Sequence, residues 1–125
     1  MSRQDKVSLA RRAEQDGSVE DAERLYREAI EEGDSYGYNN LAQLLIEVGR
    51  MREVERLFRK GVNAGDPLAA KNLALSLLEE GREVAAKEAI RVARRMGRPP
   101  TEHELTDSLT YHRTKSSKRP LNSSG

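Results

Sequence analysis

The sequence has no cysteine, no tryptophan and a single phenylalanine among its 125 residues. The absence of cysteine excludes disulfides and cysteine-ligated metal sites. Because large aromatic side chains are scarce, Leu, Ala, Val and Ile must fill any core. No stretch approaches the roughly 20 apolar residues of a membrane-spanning helix, and no apolar run of a secretory signal opens the chain. We therefore expect a cytoplasmic protein that does not associate with membranes.

An excess of one charge is also missing, since 22 basic and 21 acidic residues leave a net charge of +1. A strongly basic face would be the electrostatic mark of a nucleic-acid-binding protein, so no nucleic-acid partner is expected from the overall charge. Charged residues nevertheless make up 34% of the chain. Such a polar composition suits helices that bury only a narrow apolar stripe.

An internal repeat is the strongest feature that is present. Residues 33–50 and 65–82 are identical at nine of eighteen positions without a gap. Several columns recur at a spacing of 32, as in Gly17/Gly49/Gly81, Leu9/Leu41/Leu73, Ala10/Ala42/Ala74 and Tyr26/Phe58/Ile90. A fixed period between 20 and 50 residues is the signature of a solenoid. We predict three repeats, at residues 1–32, 33–64 and 65–96.

Each repeat contains two helical patterns separated by a glycine. Leu41, Ala42 and Leu45 recur at the spacing of one helix face. Asp66 and Pro67 form a helix start, with an N-cap followed by a residue suited to the first turn. No segment alternates apolar and polar residues as a strand would. The predicted fold is all-α, an α-solenoid of three helix-turn-helix repeats, because a single helical hairpin cannot hide its apolar stripe.

These columns resemble those of the tetratricopeptide repeat family and the related Sel-one-like repeats. The second unit carries the resemblance at Tyr38, Leu41, Ala42, Leu45, Val54, Phe58 and Gly61. The third unit carries it at Ala70, Leu73, Ala74, Leu77, Ala86, Ile90 and Ala93, and the first at Lys6, Leu9, Ala10, Ala13, Ala22, Tyr26 and Ala29. The resemblance covers residues 1–97 and implies a right-handed superhelix that serves as a protein-interaction scaffold.

The resemblance also implies that the first helix of each unit lines a concave groove. Polar and apolar side chains at the groove positions are the predicted partner-binding residues: Arg11, Tyr36, Asn39, Asn40, Gln43, Lys71, Asn72 and Leu75. Side-chain amides can bond both the N–H and the carbonyl of a peptide, and tyrosine offers an aromatic surface. The expected partner is a protein segment, either an extended peptide or a helix. The alternative is that these are merely solvated polar positions.

The sequence gives little support for catalysis, a cofactor or a bound metal. The two histidines, His103 and His112, are nine residues apart and lie in no catalytic motif. Two other functions stay open besides the scaffold. One is self-assembly into homo-oligomers through the end faces of the array, and the other is a nucleic-acid adaptor that uses the basic C-terminal tail.

The C-terminal region departs from the repeat pattern. Thr101 and Glu104 have the spacing of a capping box. They predict a short capping helix within residues 98–112, in which Leu105, Leu109 and His112 could face the last repeat. Residues 113–125 carry four basic residues and no acidic one, and we predict a flexible basic tail there.

Overall fold

The computed structural model describes residues 5–117, which form seven helices and no strand, so the all-α prediction is confirmed. The helices are α1 Lys6–Gln15, α2 Val19–Glu31, α3 Tyr36–Glu47, α4 Val54–Asn63, α5 Pro67–Glu79, α6 Glu83–Arg95 and α7 Glu102–Ser117. Within the described part of the chain, no helix is long and apolar enough to cross a membrane. The chain divides into two compact units, Met1–Ala69 and Ala70–Gly125.

In the first unit, α2 packs against both α1 and α3, while α3 also packs against α4 and touches α1. The core contains the two largest fully buried side chains, Tyr26 and Phe58, together with three leucines of α3. The Tyr26 hydroxyl donates a hydrogen bond to a Glu14 carboxylate oxygen, which satisfies the one polar group of this buried ring. The predicted core residues Leu41 and Ala42 are both fully buried.

In the second unit, small side chains dominate the interior. Ala70, Ala74, Ala86 and Ala93 have no exposed surface, and Leu73 is 4% exposed. The apolar columns are therefore buried where the repeat pattern placed them, with two exceptions. Leu9 and Ile90 are only half-buried.

A glycine lies near a helix end at every sixteenth residue. The six that end helices or follow them all have positive φ, between 76° and 91°: Gly17, Gly33, Gly49, Gly65, Gly81 and Gly97. This left-handed conformation terminates a helix at little cost only when the residue lacks a Cβ. The spacing seen in the sequence therefore marks real helix ends.

The helix starts agree with the sequence in part. Asp66 accepts a hydrogen bond from the Leu68 N–H at 3.0 Å, as an N-cap should. Thr101 and Glu104 form the full reciprocal capping box. The Thr101 N–H donates to the Glu104 carboxylate at 2.9 Å, and the Glu104 N–H donates to the Thr101 hydroxyl at 3.1 Å. Ser18 precedes α2 but does not cap it, because its hydroxyl donates to the carboxylate of Asp21 and bonds no backbone N–H of the helix.

The last helix is longer than the segment predicted for it. α7 continues to Ser117, five residues beyond the expected end at 112. Tyr111 and Lys115 are one turn apart, and the ammonium lies 5.9 Å from the ring centroid, which supports the added turn. The rest of the predicted basic tail, residues 118–125, lies outside the described residues.

Candidate functional site

The exposed side of α3 carries a row of polar side chains. Tyr36, Asn40 and Gln43 follow one another at spacings of four and three residues and so share one helix face. Tyr36 is 61% exposed, whereas Asn40 and Gln43 are half-buried. The Asn40 amide donates to the Tyr36 carbonyl at 2.8 Å, which fixes its orientation within the helix.

A side chain from α1 joins this row. The exposed Arg11 donates from Nε to the side-chain amide oxygen (Oδ1) of Asn40 at 3.5 Å. We call the set Arg11, Tyr36, Asn40 and Gln43 the α1/α3 surface. Because Asn40 bonds both its own helix and α1, the surface combines an exposed ring, two amides and one cation in a defined arrangement.

Asn39 does not belong to the α1/α3 surface, although the sequence placed it there. Its side chain is only 4% exposed, and its polar group is engaged within the protein. The reason is helical geometry, since Asn39 lies a full 100° around α3 from its neighbour Asn40. A buried amide that has a partner is a structural feature of the core rather than a contact for a ligand.

The three predicted binding residues of the second unit lie on α5. The ammonium of Lys71 is 2.9 Å from a carboxylate oxygen of Glu104 on α7, and the Lys71 side chain is only 16% exposed. Asn72 is half-buried and engaged within the protein, and Leu75 is half-buried. The charge of Lys71 is therefore paired inside the chain, which the sequence did not predict.

α7 makes two further polar contacts with the end of α5. The buried Ser108 hydroxyl donates to the Glu79 carboxylate at 3.2 Å. His112 places Nδ1 3.1 Å from the backbone carbonyl of Glu79, so the expectation that His112 faces the last repeat is confirmed. Burial raises the pKa of the Glu79 carboxyl, an effect that the Ser108 hydrogen bond opposes.

An ion-pair network lies on a different side of the first unit, where no site was predicted. Glu23 pairs with Arg50 at 2.6 Å and with Arg27 at 2.8 Å, and Arg27 reaches Glu53 at 2.9 Å. The guanidinium groups of Arg50 and Arg27 lower the pKa of Glu23. Each pair is partly solvated, so its contribution to stability is small.

An open cleft of about 210 Å³ adjoins this network. Its lining mixes charged and apolar side chains: Arg27, Ile30, Glu31, Tyr38, Glu53, Arg56, Leu57 and Lys60. Glu53 already pairs with both Arg27 and Arg56, so the cleft presents no uniform charge to a ligand. It offers less for recognition than the α1/α3 surface.

A metal-ligand cluster is not present in the part of the chain that the structure describes. No cluster of three or more His, Cys, Asp or Glu side chains could hold a metal ion there. His103 lies 3.4 Å from Asp107 on an exposed turn of α7, where both side chains face solvent. His112 is directed at a backbone carbonyl.

Neither a protein-family model nor a curated protein sequence matches this chain. The resemblance to tetratricopeptide and Sel-one-like repeats therefore rests on the pattern of residues itself. Function has to be argued from the surfaces described above.

Proposed function

We propose that this protein is a non-catalytic scaffold that binds a peptide or helix of a protein partner through the α1/α3 surface. The observation that carries the proposal is the contact of Arg11 with Asn40 beside the exposed ring of Tyr36. It brings hydrogen-bonding groups from two helices onto one face.

The chemistry of the surface fits a polypeptide. The Asn40 and Gln43 amides each offer a donor and an acceptor, as a peptide backbone requires. Arg11 supplies a fixed positive charge for a carboxylate of the partner. Tyr36 adds a large contact area at the cost of few rotamers, which is why tyrosine is enriched among the residues that dominate binding energies.

The proposal includes the finer architecture, a right-handed solenoid of three 32-residue repeats. Its support is the sixteen-residue spacing of the glycines that adopt positive φ, together with the matched burial of Leu41 and Leu73. Such arrays present their first helices to partners. The α1/α3 surface consists of residues from two first helices, in keeping with that architecture.

The test is affinity capture from cell extract with the intact chain and two matched triple variants. The surface variant carries Arg11→Ala, Asn40→Ala and Gln43→Ala. The control carries Arg56→Ala, Arg59→Ala and Lys60→Ala on the exposed side of α4. We expect a specific protein to be retained by the wild type and the control and lost by the surface variant.

Identical captures by all three proteins would refute the assignment of the α1/α3 surface. Sedimentation of the purified chain addresses the other reading, self-assembly. A mass that grows with concentration, and growth that the surface variant abolishes, would identify a second copy of this chain as the partner.

A further inference from the structure

α7 contacts the rest of the second unit through several polar groups. Among residues 102–115, only the side chain of Ser108 is buried, while Leu105 and Leu109 are half-buried. α6 of the same unit buries three alanine side chains. Because apolar burial provides most of the free energy that docks a helix, α7 gains less from fully buried side chains than α6 does.

The polar contacts form a regular row along α7. Glu104, Ser108 and His112 are four residues apart, so they lie above one another on one face. Their partners on α5 are the Lys71 ammonium at 2.9 Å, the Glu79 carboxylate at 3.2 Å and the Glu79 carbonyl at 3.1 Å. The pairs 71–104 and 79–112 are both separated by 33 residues, so α7 runs parallel to α5 in a fixed register.

The end of α5 contains a recess for the imidazole ring. A Cβ at residue 81 would lie 2.5 Å from Cε1 of His112, so the ring occupies space that only glycine leaves open. Gly81 also has φ +76°. We call Lys71, Glu79 and Gly81 the α5 docking face, since each is matched by one side chain or backbone group of α7.

We propose that the α5 docking face is a binding site for a partner helix and that α7 is its displaceable internal occupant. The partner is a helix that carries a carboxylate opposite Lys71, a small hydroxyl side chain one turn later and a flat hydrogen-bond donor one turn after that. Such a helix reproduces the three polar contacts with α5 described above. Its binding releases α7, so α7 limits access to the face until a better-matched helix arrives.

The structure favours a helix over an extended peptide at this face. The two ends of the contact, Lys71 and Glu79, are eight residues apart on α5, and their partners on α7 are also eight apart. A partner that presents its groups four residues apart, as α7 does, must be helical, because eight extended residues would span more than twice the distance that eight helical residues span. The inference deepens the proposed function, on which it rests only in assuming that the chain is a scaffold.

The test uses the full chain and α7 itself as the probe. A fluorescent peptide of residues 101–117 is titrated into the wild type and into a released variant with Glu104→Lys and Ser108→Gln. Both substitutions lie on α7, so the α5 docking face stays intact. The lysine faces Lys71, and the larger glutamine cannot occupy the buried site of Ser108. We expect the released variant to bind the peptide at least about tenfold tighter, since an occupied face lowers apparent affinity by its free fraction.

A charge exchange shows whether the peptide uses the native contact. The exchange uses a released variant with Glu104→Ala in place of Glu104→Lys, so that α7 itself offers no charge to residue 71. Adding Lys71→Glu to this variant should weaken the binding of the wild-type peptide about tenfold, and a peptide with Glu104→Lys should restore the affinity. Circular dichroism verifies that each variant retains its helices. Equal affinity of wild type and released variant, absence of binding to the released variant, or failure of the charge exchange would each overturn the proposal.

The outcome of the peptide titration does not depend on the α1/α3 surface. Loss of capture by the Arg11, Asn40 and Gln43 variant leaves the peptide titration unchanged. Failure of the titration likewise leaves the capture result standing. The two proposals can therefore fail separately.

Discussion

Gly37 can be used to test how closely α3 packs against α2, because it is the second residue of α3 and faces α2. A Cβ at this position would lie 2.8 Å from Cγ1 of Ile30 and 3.1 Å from the carbonyl oxygen of Tyr26. Carbon atoms normally pack at about 3.5–4.0 Å. One of these two neighbours is backbone and the other belongs to a stiff, β-branched side chain, so Gly37→Ala forces the helices apart.

Two opposing effects decide whether Gly37→Ala raises or lowers the stability of the protein. Alanine is a better helix former than glycine by at most about 1 kcal/mol, and less so in a first turn. Overpacking a tight contact costs about 1–3 kcal/mol. We therefore expect Gly37→Ala to destabilise the protein by a net amount of about 1 kcal/mol, a fall in melting temperature of about 4 °C for a chain of this size.

Thermal unfolding followed by circular dichroism measures the change. Lys87 is an exposed position in the middle of α6, so the difference between Lys87→Gly and Lys87→Ala gives the helix-propensity effect alone. There alanine should be the more stable by about 1 kcal/mol. A Gly37→Ala protein that melts higher than the wild type would refute the close approach of α2 and α3, and with it the placement of Tyr36.

Other expectations concern burial and pH. Leu73→Ala should destabilise by about 2–5 kcal/mol, measured by urea unfolding. Tyr26→Phe should destabilise by about 1–2 kcal/mol in the same assay, because Glu14 loses its donor. Burial raises the pKa of Glu79 above 4.5, whereas the Thr101 N–H and Lys71 lower that of Glu104. The contribution of Glu79 to the stability of the docked helix is present at low pH and is lost as the pH rises through the raised pKa. The contribution of Glu104 is lost as the pH falls through the lowered pKa. The affinity of peptide 101–117 for the released variant should therefore fall on the acid side as Glu104 loses its charge and fall on the alkaline side as Glu79 gains one, and a steady rise in affinity toward pH 8 would contradict this.

The inner sides of the helices were predictable from the sequence, because a period near 3.6 defines one face and the repeat defines it three times. Leu41 and Leu73 are buried as expected. The Thr101–Glu104 capping box was equally readable, since it depends on residues three apart. Local rules suffice wherever the interacting groups are close in the chain.

The outer sides were less predictable. Asn39 was expected to meet a partner and is buried, and Lys71 was expected to be available and is paired with Glu104. Helical periodicity tells which residues share a face, but not which face a distant segment will cover. The contact of Lys71 with Glu104 spans 33 residues, and nothing in the repeat pattern specifies it.

The two copies of one motif show where this difference in surfaces originates. Asn40-Leu41-Ala42 on α3 and Asn72-Leu73-Ala74 on α5 share sequence and burial, with the leucine and alanine inside and the asparagine half-buried. On α3, however, Tyr36 stays exposed. On α5, polar groups form hydrogen bonds and an ion pair with α7. The segment that makes this difference, residues 101–117, is outside the repeat. Repetition therefore sets the core of each hairpin, whereas the part of the α5 surface that stays exposed depends on a C-terminal helix that is not part of the repeat.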